Sequence, residues 1–255
     1  MKKLLIFLLL FSSALLNAQE VRPLQDEFAY GSFQIKERNT SNVALQYGLG
    51  YGSFKLEDIK TIQGRVKNTM SQYGARITEN FPNYFIQSVA FGLIVGQHHT
   101  GIRGSFLTTG GRVHVSDYSG EYKADMLLSG VRFGLFYRYY IPNNSQWFNI
   151  YLQIESGILS SNLKMNEKLV LGSRKILEEN FTFKSKGAYF EPSIGVCFKP
   201  LNWLHLSLGG GYEIDTGGKM KLSSNNNKYT YRGDDKINWN GFRFNAGLIL
   251  IVPKE

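Results

Sequence analysis

The chain has 255 residues, of which 43% are hydrophobic and 14% aromatic, with 27 glycines, 6 prolines and a formal net charge of +9 at pH 7. Abundant aromatic residues and glycines favour strands and tight turns. The single cysteine, Cys197, excludes an intrachain disulfide and lies too far from the N-terminus to be a lipid-attachment site. The basic charge suits anionic partners such as lipid phosphates.

The N-terminus has the pattern of a secretory signal peptide. Lys2 and Lys3 precede an apolar run over residues 4–11, which is too short to cross a bilayer as a helix. We assign residues 1–18 to the signal peptide, whose removal takes away two of the 29 basic residues and lowers the formal charge to +7. Because the mature chain is exported, nucleic acid is not an expected partner.

Residues 19–42 are polar and poorly periodic, and we predict that they form a periplasmic N-terminal arm. Residues 28–35 could add a strand there, although that strand alone would make the count odd. We assign residues 43–255 to one barrel domain. This domain has no window of the roughly 18 consecutive apolar residues that a membrane helix needs, so any membrane span must consist of strands closed into a barrel.

Eight segments of the domain alternate between apolar residues and polar residues or glycine, as strands do when their two faces meet different media. They lie at residues 43–54, 84–96, 100–115, 130–139, 148–155, 188–198, 204–211 and 239–252. In the last segment, Phe242 and Phe244 share one face and Arg243 lies on the other. Pro192 removes a backbone donor from the sixth segment and predicts a bulge or irregularity there.

The links between these segments alternate in length. Short links at residues 97–99, 142–146 and 199–202 alternate with long loops at 55–83, 116–122, 160–186 and 216–238. This pattern is typical of outer-membrane barrels, and an even strand count places both termini on the periplasmic side. In the first long loop, a recurring apolar stripe predicts a short amphipathic helix folded on its own barrel, the alternative being a helix that meets a partner. The stripe consists of Leu56, Ile59, Ile62, Val66 and Met70.

From residue 43 to residue 252 the chain resembles the small porin-like outer-membrane β-barrel proteins of Gram-negative bacteria. The resemblance rests on repeated alternating segments, among them Gly130-Val131-Arg132-Phe133-Gly134-Leu135 and Phe190-Glu191-Pro192-Ser193-Ile194-Gly195. It implies an all-β fold and an outer-membrane location, and it implies no reaction. We predict an eight-stranded, antiparallel, up-and-down transmembrane β-barrel. The chain departs from the family at its C-terminus, where Pro253-Lys254-Glu255 replaces the aromatic last residue common in such proteins.

Aromatic residues lie at the ends of the predicted strands. Those at the long-loop ends are Tyr51, Tyr84, Tyr212 and Trp239, and those at the short-turn ends are Tyr139, Tyr140, Trp147 and Trp203. Rings with one apolar and one polar part favour the membrane–water interface, so we predict two interfacial girdles. The alternative is that aromatic residues are simply common in strands.

Charged residues lie on the faces that should point into the barrel. They are Arg103, Arg132, Arg138, Glu155, Glu191, Glu213 and Arg243. The interior of an eight-stranded barrel is just wide enough to be filled by side chains, so we expect these charges to pair across it and to close the lumen. A narrow porin-like channel for small solutes is the alternative.

One pair of residues suggests chemistry. His114 and Ser116 lie two positions apart on one strand face, where an imidazole could activate a hydroxyl, with Asp117 and Glu121 nearby in the sequence. The pair is similar to the His-x-Ser pair of outer-membrane lipid A deacylases, but Asp117 stands where those enzymes typically carry Asn. We predict no enzyme. His98 and His99 are read as part of an exposed polar turn, and no metal or cofactor is expected.

The sequence therefore predicts a non-enzymatic, monomeric outer-membrane barrel with a structural or surface-interaction role. Its expected partners are outer-membrane lipid and lipopolysaccharide, together with a protein partner at the long loops. Lysines and arginines crowd the loop at residues 160–186 and could bind lipopolysaccharide phosphates. Besides the channel, two alternatives stay open: a lipid A-modifying hydrolase, and a secreted lipocalin-like barrel with its apolar faces turned inward around a ligand.

Overall fold

The computed structural model describes residues 41–142, 145, 147–172, 174–223 and 235–252. The predicted signal peptide, residues 19–40 of the predicted arm and the extra strand at 28–35 lie outside the described residues. The helices are α1 (Glu57–Thr69) and a 3-10 turn (Ser71–Tyr73). The strands are β1 (Asn42–Gly52), β2 (Arg76–Asn80), β3 (Tyr84–Val95), β4 (His98–Asp117), β5 (Gly120–Tyr140), β6 (Phe148–Leu171), β7 (Arg174–Leu201), β8 (Leu204–Asp215), β9 (Gly218–Lys219), β10 (Lys221–Leu222), β11 (Lys236–Ile237) and β12 (Gly241–Val252).

Eight of these strands form a closed antiparallel ring in the order β1, β3, β4, β5, β6, β7, β8, β12. The first and last strands of the chain close it, with Val43 opposite Val252 and Tyr51 opposite Phe244. The predicted eight-stranded up-and-down barrel is therefore confirmed. We call the end that carries residues 42 and 252 the turn end, and the end that carries α1 the hairpin end.

The outer face of the ring is apolar over a continuous band. On β5, Val131, Phe133 and Leu135 are 54–63% exposed, whereas Arg132 between them is 3% exposed. A lipocalin-like barrel needs the opposite arrangement, so that alternative is wrong. Within the described residues, no helix has the length and apolarity needed to cross a bilayer.

Beyond this band the strands continue as long hairpins. The loop predicted at residues 160–186 is wrong, because β6 and β7 stay paired from Ser160 and Lys186 to Leu171 and Arg174. The loop predicted at 116–122 is likewise a tight turn between β4 and β5. In both places the polarity of the faces reverses. Polar residues point outward and apolar ones inward, so the charged alternation that was read as a loop belongs to strands in water.

The inward apolar residues of the hairpin end form a core that α1 completes. Leu56 and Ile59 are fully buried, and the helix therefore folds on its own barrel, as predicted. The buried members of this core are Phe54, Leu56, Ile59, Phe81, Ile86, Leu107, Met126, Leu128, Leu159, Leu163, Met165, Tyr189, Met220, Ile237 and Trp239. The part of the protein outside the apolar band therefore has a hydrophobic core of its own.

The strand around Pro192 departs only partly from regular pairing. The ladder between β7 and β8 lacks pairs at Glu191 and Pro192, and it resumes beyond them in the same register. The predicted interruption is present, but the predicted bulge is not. The register shifts of β7 lie elsewhere, opposite Leu169–Val170 of β6 and between Phe198 and Leu201.

The assignment of inner and outer faces on β5 can be tested with two adjacent leucines. Leu128 is fully buried in the core and Leu127 is 52% exposed. We expect Leu128→Ala to lower the free energy of unfolding by about 2–5 kcal/mol, because it leaves a cavity. Leu127→Ala, the matched control, should change it by less than about 0.5 kcal/mol. Urea unfolding in lipid vesicles measures both values, and equal losses would contradict the assigned faces.

Candidate functional site

All seven sequence-predicted lumen charges are buried inside the ring. Arg132 lies at their centre. Its Nη1 is 2.6 Å from Glu191 Oε2 and 2.6 Å from Glu213 Oε2. Charge-assisted bonds of this length are strong, and one guanidinium here joins β5 to both β7 and β8 across the barrel.

Two further ion pairs extend the network in opposite directions. Towards the hairpin end, Arg243 Nη2 lies 2.9 Å from Glu213 Oε2, and Arg243 Nη1 donates to the backbone oxygen of Ser53 at 2.6 Å. Towards the turn end, Arg103 Nη1 lies 2.8 Å from Glu155 Oε2. Glu155 also accepts a hydrogen bond of 2.8 Å from the Tyr189 hydroxyl. Each of these carboxylates therefore has at least one guanidinium partner.

Arg138 departs from the predicted pairing, because among the described residues it has no carboxylate partner. Its Nε donates to Gln153 Oε1 at 2.9 Å, and its guanidinium carbon lies 4.2 Å from the centre of the Tyr151 ring. Its Nη2 is 3.4 Å from Gln46 Oε1. The sequence reasoning did not single out Gln46, Tyr151 or Gln153 as partners. Their position on the inward face of β1 and β6 was the signal that could have identified them.

Clusters of apolar residues flank the network on both sides. Below it, at the turn end, lies a cluster of Ala44, Tyr140, Tyr151, Cys197, Ile249 and Ile251. Above it lies the core of the hairpin end, which includes Trp239. The lumen is therefore filled at three successive levels by an apolar cluster, a charged network and an apolar core.

Two predicted interfacial aromatics are inside the barrel. Trp239 is fully buried, donates from Nε1 to Ser161 Oγ at 2.9 Å, and meets Phe54 edge-on at 4.9 Å. It precedes the first residue of β12, in a segment that crosses the barrel mouth, so strand parity does not hold it outward. Tyr140 is buried as well, because it shares the inward face of β5 with Arg138.

The other predicted girdle residues lie on the outer surface. Tyr51 and Tyr84 at the hairpin end, and Trp147 and Trp203 at the turn end, are exposed. Tyr139 and Tyr212 are half-buried. Tyr212 and Tyr51 meet neighbouring phenylalanines edge-on, at 5.1 Å and 5.7 Å. These six residues remain the proposed interfacial girdles.

The candidate catalytic pair lies on the outer face of β4, beyond the apolar band. His114 Nε2 is 3.2 Å from Glu121 Oε1, and within the described part of the chain it forms no hydrogen bond with Ser116. Asp117 Oδ1 instead accepts bonds from the turn residues Ser119 and Gly120, which hold the pKa of Asp117 below its usual range. Among the described residues no nucleophile–base contact is formed here, and the geometry gives the hydrolase alternative no support.

The histidines of the predicted turn are placed differently from the expectation. His98 is exposed, with Nδ1 2.6 Å from the Tyr137 hydroxyl, but His99 is buried in the lumen, where its ring meets Phe136 edge-on at 4.9 Å. β4 begins at His98, so the residue after it points inward. No group of three or more His, Cys, Asp or Glu side chains that could hold a metal occurs among the residues described.

The inner face of the hairpins brings two carboxylates together. Glu167 on β6 lies directly opposite Glu179 on β7. Burial raises the pKa of Glu167, and the like charge of Glu179 raises it further. Nearby, burial and then Glu167 raise the pKa of Tyr122 to about 12. This arrangement favours a protonated Glu167 at a higher pH than usual.

Comparison with solved structures finds outer-membrane proteins. The chain is similar to Ail, the attachment invasion locus protein of Yersinia pestis, at 12% identity and a TM-score of 0.35, covering 83% of this chain and 97% of that one. It is similar to OprG of Pseudomonas aeruginosa (12%, TM-score 0.42, 84% and 97% covered) and to the protease OmpT of Escherichia coli (12%, 0.40, 84% and 96%). No protein-family model and no curated protein matches the sequence.

In the ion network, the carboxylate of Glu213 should contribute strongly to the free energy of unfolding. Glu213→Gln removes the charge that faces both Arg132 and Arg243, so we expect it to lower the free energy of unfolding by about 3–5 kcal/mol, because buried cations lose their compensation. Glu79→Gln is the control, since Glu79 is exposed and 3.5 Å from Arg112, and should cost about 1 kcal/mol or less. Urea titration in vesicles gives both values, and a small loss for Glu213→Gln would contradict the network.

Proposed function

We propose that the protein is an integral, monomeric protein of the bacterial outer membrane that is closed to solutes and has a structural or surface-interaction role, without enzymatic activity. One observation carries this proposal: the barrel exposes an apolar band outside while its lumen is filled along its length. An apolar band of this kind suits lipid, and closure of the ring leaves no unpaired sheet edge within it. A closed ring also supports the monomeric state.

The proposed orientation places the turn end, with both ends of the barrel domain, in the periplasm and the hairpin end outside the cell. Three features support it: the predicted signal peptide, the short turns at one end, and the long hairpins at the other. The hairpin tips also carry exposed apolar residues, namely Tyr118, Leu171 and Ile176. We propose these tips as the contact surface for a protein partner, since exposed apolar groups are costly in water.

The closed lumen is tested by electrical recording. We expect the reconstituted protein to show no sustained openings in planar bilayers, because ion pairs and two apolar clusters occupy the path. A general porin reconstituted in the same bilayer supplies the positive control. Frequent, sustained openings of the pure protein would support the channel alternative and overturn the proposal.

The outer face of the hairpins presents lysines just above the apolar band. Lys184 on β7 faces Lys221 on β10, and Lys186 lies two residues further along the same face. Lys164 is on the neighbouring strand β6, diagonal to Lys184. These lysines give this face of the hairpins a local positive charge, which attracts anions. We propose that the phosphates of lipopolysaccharide bind there, since this level of the barrel meets the lipid headgroups.

Removing these lysines should weaken lipid A binding. We expect the triple variant Lys164→Gln, Lys184→Gln, Lys186→Gln to bind bisphosphorylated lipid A at least about tenfold more weakly, since each lysine near an anionic surface contributes about 1 kcal/mol. The control removes three lysines elsewhere, with Lys55→Gln, Lys67→Gln and Lys175→Gln. Native mass spectrometry measures the affinities. Equal weakening in both variants, or no preference over dephosphorylated lipid A, would count against a phosphate site.

A further inference from the structure

One buried arginine of the barrel interior is set apart from the carboxylates. The four arginines Arg103, Arg132, Arg138 and Arg243 are buried there with four carboxylates, Glu155, Glu191, Glu213 and Asp215. Asp215 accepts hydrogen bonds from the backbone N–H groups of Gly217 and Trp239 at the hairpin end. The acidic groups beside Arg138 are Tyr140, Tyr151 and Cys197, residue types that are ordinarily neutral at pH 7.

Arg138 is the arginine of this group that has no carboxylate partner among the described residues. Arg103, Arg132 and Arg243 each lie within 3 Å of a carboxylate oxygen. In the described part of the chain the partners of Arg138 are neutral, namely Gln153, Gln46, the Tyr140 hydroxyl and the Tyr151 ring. Taking an ion out of water costs several kcal/mol unless an opposite charge compensates it, so a fully buried guanidinium with neutral partners is costly.

A small polar cavity lies directly beside this guanidinium. Arg103 and Arg138 both line it, and so do the hydroxyls of Ser88, Ser193 and Ser207. Its volume of about 10 Å³ suits a single small occupant and excludes a polyatomic anion. Each hydroxyl is held only by a 3.4 Å bond to a strand carbonyl, which is long for a hydroxyl donor, so each can turn towards an occupant at little cost. Arg103 Nε is buried and has no hydrogen-bond partner among the described residues.

We propose that this cavity binds one small monovalent anion, of the size and charge of chloride, between Arg138 and Arg103. One negative charge there compensates Arg138, and the serine hydroxyls and guanidinium N–H groups supply the donors that a spherical anion accepts. Larger anions such as sulfate or an organic carboxylate do not fit a cavity of this size. The proposal concerns a bound ion that stabilises the lumen, and it does not require a conducting path.

The decisive variant supplies the negative charge from the protein itself. Gln153→Glu places a carboxylate at hydrogen-bond distance from Arg138 Nε, where it replaces the anion without removing any side-chain volume. The control is Gln97→Glu, the same chemical change in the exposed β3–β4 turn, where Gln97 accepts a bond from the Tyr139 hydroxyl. Because the cavity lies inside the barrel, each protein is refolded in the salt under test.

The readout is the melting temperature at constant ionic strength as chloride replaces gluconate. For the wild-type protein we expect a rise of about 2–4 °C or more over a hundredfold increase in chloride, because an ion that binds only the folded state stabilises it. The rise should persist in Gln97→Glu and disappear in Gln153→Glu. No chloride dependence in the wild-type protein, or the same dependence in Gln153→Glu, would overturn the proposal.

Crystals grown in bromide give a second, direct test that does not depend on how a variant folds. We expect an anomalous peak in the cavity, within about 3.5 Å of the Arg138 guanidinium nitrogens. Water density without an anomalous peak there would overturn the proposal, and so would a carboxylate of residues 19–40 found in the cavity.

Discussion

The structure depends on one constraint, which is that every backbone donor and acceptor of a strand in lipid needs a partner within the protein. The ring satisfies it by pairing β1 with β12 over ten residue pairs. Closing only eight strands leaves a narrow lumen, and that width decides what can lie inside. Large arginines fit because small residues face them. A Cβ at Gly52 would lie 3.1 Å from Arg243 Nη1, and one at Gly130 would lie 3.1 Å from the Trp239 ring. The inner-face glycines therefore leave, by lacking side chains, the room that the arginines and the tryptophan occupy.

The same strands are surrounded by lipid along one part of their length and by water along the other. This difference explains why the barrel has a charged interior in one part and an apolar interior in the other. Within the apolar band, apolar side chains face outward to lipid and polar ones face the lumen, as with Phe133 and Arg132 on β5. Beyond the band, polar side chains face outward to water, and the inward residues of the same strand are apolar, as with Met126 and Leu128. α1 then covers the resulting core. Each half of the interior is thus a consequence of what surrounds the strand at that height.

Strand alternation was enough to predict most of this arrangement and failed where alternation does not apply. Parity along β4, β5 and β12 correctly placed Arg103, Arg132 and Arg243 inside the barrel. Parity could not place Trp239, because its position is set by a segment that crosses the barrel mouth and is held by the bond to Ser161. The long hairpins were missed for a related reason: a strand in water reverses its apolar face, so Leu163 and Met165 appeared in the sequence among charges that resemble a loop. The lack of a carboxylate for Arg138 depends on three-dimensional distances, which no one-dimensional pattern carries.

Because side chains fill the lumen, the proposed recognition is assigned to the outer surface, where the distribution of charges differs from that of the interior. A sheet is most stable with opposite charges across its strands, yet Lys184 faces Lys221 on the outer face of the hairpin, while Glu167 faces Glu179 on the inner face. The two oppositions are relieved differently. The carboxylates can relieve theirs by retaining a proton, and the pKa of Glu167 is raised accordingly, first by burial and then by Glu179. Lysines have no such route near neutral pH, because their ordinary pKa is about 10.4. The lysine face therefore keeps its positive charge, on which the proposed phosphate site rests, whereas the glutamate pair is an internal feature of the fold.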